Sequence, residues 1–96
     1  MNTYASAQDQ INAVRDGRSS ARQLVEASLD RIESIDSSGY ALNSVLALAP
    51  RVRENAEQID TDLPLAGLPI FIKDNIEAVG LPGTAGSLAL AQYPVE

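Results

Sequence analysis

A short apolar run at residues 69–76, "PIFIKDNI", constrains this chain more than any other stretch. Its β-branched and aromatic residues sit between "GLP" and the turn-rich "AVGLPGTAGS". That pattern predicts a strand buried among sheet neighbours. The run also holds Lys73, the one lysine of the chain; arginine supplies every other basic side chain. A charge is most costly where a strand is buried, so the placement needs a reason.

On a strand, Phe71, Lys73 and Asn75 share one face, and Ile70, Ile72 and Asp74 the other. Burial disfavours the ammonium and lowers a lysine pKa. A neutral amine is then a competent general base near pH 7. The plainer reading ends the strand at Lys73, which snorkels to water or pairs with Asp74 or Glu77.

The first half of the chain carries helical spacing. Ser6 caps a first helix whose stripe is Ala7, Ile11 and Val14, and Gly17 ends it. Ser20 and Gln23 form a capping box for a second helix. Along it Ala21, Leu24, Val25, Leu29, Ile32 and Ile35 recur on one side, with Arg22, Glu26, Asp30 and Glu33 on the wet side. "DSSGY", residues 36–40, breaks that helix. "LNSVLALA", residues 42–49, predicts a short strand. Pro50 suits the first turn of a third helix, with Val52, Ala56 and Ile59 inward. Beyond the "PIFIKDNI" strand comes a turn-rich loop, then a short helix from Ser87.

Composition removes several classes of function. Ninety-six residues fit one small domain or a piece of a larger one. With no cysteine and no histidine, disulfides, thiolate or histidine metal sites, Ser-His-Asp triads and Cys-His pairs are all excluded. No metal or cofactor site is expected. A net charge of −6, spread along the chain, argues against nucleic acid as a partner. The N-terminus lacks the basic and apolar regions of a signal peptide. No apolar stretch approaches the ~20 residues of a membrane span. The expectation is a soluble, cytoplasmic chain with no membrane or nucleic-acid partner.

Two further stretches invite a catalytic reading. In "GLPGTAGS" the glycines Gly80, Gly83 and Gly86 match neither a dinucleotide fingerprint nor a P-loop. They allow tight turns or close approach to a ligand, and Thr84 and Ser87 offer hydroxyls to a neighbouring site. The serines Ser37 and Ser38 of "DSSGY" have nothing nearby to activate them, and a loop of turn formers explains them. Ser87 stands in no G-x-S-x-G elbow.

The block "LAGLPIFIKDNIEAVGLPGTAGSLAL" strongly resembles the first characteristic segment of the amidase signature family, a "G-[IL]-P-x-x-x-K-D-N" strand followed by a loop ending in "T-A-G-S". "SSARQLVEASLDRIESID" is similar to the family's second helix, and "ALNSVLALAP" to the edge strand and helix start that follow. The resemblance implies an α/β fold: helices followed by strands of a mixed central sheet, incomplete here. Residues 1–62 form the helical segment with an edge strand. Residues 63–96 form the first core strand and the glycine-rich loop that carry the lysine.

The resemblance also implies a chemistry. Lys73 matches the lysine of a Ser–cis-Ser–Lys triad, the base that deprotonates a serine on a cis peptide and so activates a nucleophilic serine. An acyl-enzyme forms on a carboxylic or peptide amide, ammonia or an amine leaves, and water hydrolyses the ester. The two serines follow the lysine in the family, beyond residue 96, so Ser37 and Ser38 are not they. Gly83 departs from the threonine or serine common before "T-A-G-S", which puts the loop's hydroxyl contacts in question. "SLALAQYPVE" stops in mid-pattern. Two readings follow. One is the N-terminal segment of an amidase, inactive alone and completed by a chain bearing the serine-rich segment. The other is a non-catalytic module that folds or binds a partner.

Overall fold

The structure of the chain, a computed structural model, describes residues 5–84. Helix α1 spans Ala7–Arg15 and opens where the Ser6 side chain accepts the Asp9 N–H at 3.0 Å. A cap of this kind contributes about 1 kcal/mol. The helix closes in a Schellman motif: Arg18 N–H donates to the Ala13 carbonyl at 2.9 Å and Gly17 N–H to Val14 at 3.2 Å. Gly17 takes φ 78°, the left-handed conformation that the motif requires.

Helix α2 spans Ala21–Arg31 and begins with the expected capping box. Ser20 Oγ accepts from Gln23 N–H at 3.1 Å, and the Gln23 side chain accepts from Ser20 N–H at 3.0 Å. The helix then widens into a π-type turn over Ile32–Asp36, with Ser37 N–H reaching back five residues to the Ile32 carbonyl at 2.9 Å. Helix α3 spans Val52–Gln58. Pro50 lies before this helix, outside its first turn; Arg51 begins it from the left-handed region at φ 61° without a side-chain cap.

Ile11 and Val14 of α1 meet Leu24 of α2 and Ala66 of the segment after α3, with Leu68 packed alongside. Each of the three larger side chains stabilises by roughly 1.5–3 kcal/mol when fully buried. The stripe on α2 holds at its start, where Ala21, Leu24 and Val25 are buried, and fades to Ile35, which is exposed. Of the stripe expected on α1, Ala7 is exposed, and Ala13 is buried instead. Val52 and Ala56 are half-buried against α2, and Ile59 falls just past the end of α3, partly exposed.

Ion pairs tie α3 to α2. Arg22 reaches Glu26 at 2.9 Å and Glu57 at 2.6 Å, and Arg53 reaches Glu26 at 2.7 Å. The Arg22 hydrogen bond holds the Glu26 carboxyl below its usual range, aided by Arg53 and opposed by desolvation. Pairs this open to solvent orient helices more than they stabilise them.

The two expected strands are absent among the described residues. Residues 42–49 and 69–76 run without ladder partners, and Leu42, Leu46, Leu48, Ile70, Phe71 and Ile72 are all exposed. A strand is completed by backbone hydrogen bonds to a neighbour, and neither run is assigned to such a ladder among the described residues. Among the described residues, therefore, the α/β sheet expected from the sequence is not seen; three helices and long connections are what they make. No helix among them is long and apolar enough to cross a membrane. The helix expected from Ser87 lies outside the described residues.

Candidate active site

The segment that carries Lys73 is anchored from behind. Arg15 of α1 donates to the Leu63 carbonyl at 2.9 Å and the Thr61 carbonyl at 3.4 Å. Two successive turns follow, with Ala66 N–H on the Leu63 carbonyl at 3.0 Å and Leu68 N–H on Leu65 at 2.8 Å. Between them Ala66 is buried in the core and Gly67 adopts φ 81°. A Cβ on Gly67 would stand 2.7 Å from both Ala21 Cβ and Ile59 Cγ2. Glycine is needed there for conformation and for close approach. The core thus fixes the chain up to Leu68, and Pro69 leads it out.

From Ile70 to Lys73 the chain is exposed, with Phe71 73% and Ile70 64% accessible. Lys73 is exposed as well, which corrects the expected burial. The cover that a buried strand needs is not supplied by the described residues. The chain then turns: Ile76 N–H donates to the Lys73 carbonyl at 2.9 Å, with Asp74 and Asn75 at the corners. Aspartate and asparagine are strong turn formers, and without a partner strand their preference prevails over that of the β-branched residues before them.

Asp74 is the residue whose role the sequence leaves open. Its Oδ1 accepts Thr84 N–H at 3.1 Å and its Oδ2 accepts the Thr84 hydroxyl. The glycine-rich loop is thereby folded back onto the residue next to Lys73. Within the loop Leu81 N–H donates to the Ala78 carbonyl at 3.1 Å, and Gly80 takes φ 84°. The sequence marks the Thr84 hydroxyl as a donor without marking its acceptor. The one signal for the pair is a carboxylate and a threonine bracketing two turn sequences. Ser87 and Gly86 lie outside the described residues.

Ser37 and Ser38 stand in the connection after the π-type turn, where Ser38 Oγ donates to the Glu33 carbonyl at 2.5 Å. Near them Asp36 is buried, and its carboxylate accepts Ser44 N–H at 2.7 Å, Val45 N–H at 3.0 Å and the Ser44 hydroxyl. The Ser44 hydroxyl, then the two backbone donors, hold the Asp36 carboxyl below its usual range. Phe71 and Leu42 border a cleft of about 170 Å³ beside this node. Lys73 does not line it. Among the described residues no cluster of acidic side chains, cysteine or histidine is arranged to hold a metal ion.

A family model described as Amidase matches residues 23–96. The chain belongs to the amidase family. The match takes in most of α2, both uncovered apolar runs, and the whole Lys-Asp-Asn turn and loop of this amidase-family chain. Among similar proteins is a glutamyl-tRNA(Gln) amidotransferase subunit of Thermus thermophilus, 40% identical over 80% of this chain and 16% of the relative. Its counterpart of the same name in Deinococcus radiodurans is 34% identical over 97% of this chain and 20% of the relative. A mandelamide hydrolase of Pseudomonas putida is 39% identical over 83% of this chain and 17% of the relative. The chain thus spans no more than about a fifth of the length of these curated relatives. No solved structure matches it.

Proposed function

We propose that this chain is the N-terminal segment of an amide C–N hydrolase, and that Lys73 is its general base. The observation that carries the reading is the Lys-Asp-Asn sequence at residues 73–75, which falls inside the family match. The remainder of the protein supplies the two serines, in the same polypeptide or in a complementing chain. Lys73, neutral once covered, takes the proton of the relay serine on its cis peptide. The relay serine in turn draws the proton of the nucleophilic serine, which attacks the amide carbonyl. Ammonia or an amine leaves with a proton, and water cleaves the acyl ester to release the carboxylic acid.

The exposure of Ile70, Phe71 and Ile72 supports this reading. An apolar run flanking an exposed lysine is a segment awaiting sheet neighbours, and those neighbours provide the low-dielectric setting that lowers a lysine pKa. The substrate is a carboxylic or peptide amide, and the setting is cytoplasmic.

The test uses the polypeptide that joins these residues to the serine-rich segment, or the complemented pair. It is incubated with a simple amide and hydroxylamine, and ammonia and hydroxamate are measured. Release of ammonia with hydroxamate formed from the acyl-enzyme is expected, both abolished by Lys73→Ala. Amide turnover that survives Lys73→Ala overturns the assignment.

A further inference from the structure

We infer that Asp74 and Thr84 form a clasp that positions Lys73 for its reaction, and that Asp74 is a positioning residue. The inference rests on the reading of Lys73 as the base. Both Asp74 oxygens are engaged by one residue, Thr84 N–H on Oδ1 at 3.1 Å and the Thr84 hydroxyl on Oδ2. A two-point contact fixes the plane of the carboxylate as well as its distance. Through the two short side-chain torsions of Asp74, that contact restrains its backbone and the peptide that joins it to Lys73.

The need for such a device follows from the side chain. Lysine has a flexible four-carbon stem and loses much rotamer entropy when it is held in one place. A catalytic group must stand within about 0.5 Å of its productive position. Lys73 has the core-anchored Ala66–Leu68 turn several residues before it, with an uncovered run between. The restraint on its other side is the Lys73–Ile76 turn and the Asp74–Thr84 clasp. The clasp also brings the loop to the lysine end of the segment, so that one pair of residues sets both.

The contact is part-buried, so its removal by a near-isosteric change leaves the fold in place. The experiment compares Thr84→Val, Thr84→Ser, Asp74→Glu and Lys73→Ala in the complete enzyme on a simple amide, with kcat, KM and melting temperature for each. Thr84→Val and Asp74→Glu are expected to lower kcat by about 10- to 100-fold, the scale of a sub-ångström to ångström misplacement. KM and melting temperature stay near the parent, and Thr84→Ser, which keeps both donors, restores kcat. A parental kcat in Thr84→Val or Asp74→Glu, while Lys73→Ala is inactive, overturns the clasp and leaves the base assignment standing. Loss of folded protein with unchanged kcat per folded molecule overturns it also. Activity in Lys73→Ala overturns the base assignment itself.

Discussion

The Asp36 carboxylate reaches across the loop after the second helix to accept the Ser44 backbone N–H at 2.7 Å. With Val45 N–H on its other oxygen at 3.0 Å, it caps a connection that has no ladder of its own. Hydrogen bonds to the charged form lower the carboxyl pKa in the folded state.

The sign of the pH effect follows from that direction. A group whose folded pKa is depressed contributes stability that is fully present above its unfolded value and lost as pH falls through the folded one. In the protein carrying these residues, Asp36→Ala lowers the denaturation midpoint at neutral pH. The gap between variant and parent narrows as the pH is taken below the ordinary carboxylate range. A gap that stays constant into acid contradicts the role given to Asp36.

Gly67 and Gly17 separate two reasons for glycine. Both have positive φ, 81° and 78°, but a Cβ meets Ala21 and Ile59 at the first and nothing within 4 Å at the second. Gly17→Ala therefore costs about 1–2 kcal/mol, the penalty of the left-handed conformation. Gly67→Ala adds an overpacking cost of about 1–3 kcal/mol. Urea titration of both variants measures the difference; equal costs would show that the Ala66–Gly67 turn does not pack against α2 as described.

What the sequence makes legible here is local. Ser6, the Ser20–Gln23 box and Gly17 act over three or four residues, so their spacing alone states the result. The stripe of Ile11, Val14, Leu24 and Val25 is equally direct. Legibility fails where a partner is needed. Residues 42–49 and 69–76 have strand composition, but composition cannot supply a neighbour, and Asp74 with Asn75 turns the chain instead. The π-type turn at Ile32–Asp36 has no sequence mark, and the contacts of Asp36 with Ser44 and of Asp74 with Thr84 cross eight and ten residues. The motif singles out Lys73 as a candidate; it does not describe the surroundings of that side chain.

The exposed run predicts how residues 1–96 behave alone. Ile70, Phe71 and Ile72 form an apolar stretch with no ladder partner among the described residues, a template for edge-to-edge association. The isolated chain is expected to bind a hydrophobic dye, to associate with rising concentration and to release no ammonia from any amide. A monomer with cooperative thermal unfolding and amides protected from exchange over residues 70–75 would refute this.

In the proposed function, Lys73 acts by losing a proton. Arginine keeps the charge in the same place but stays protonated at any workable pH. In the complete enzyme, Lys73→Arg and Lys73→Ala are expected to lose activity alike, on the order of 10³-fold or more in kcat, as when a member of a coupled triad is removed. A cation serving only for charge or structure would be replaced by arginine with little loss. The deciding measurement is kcat of Lys73→Arg on a simple amide, with folding verified by circular dichroism. A fall equal to that of the alanine variant is the predicted result; a folded enzyme within about tenfold of the parent, only ~1.4 kcal/mol in the barrier, contradicts the account.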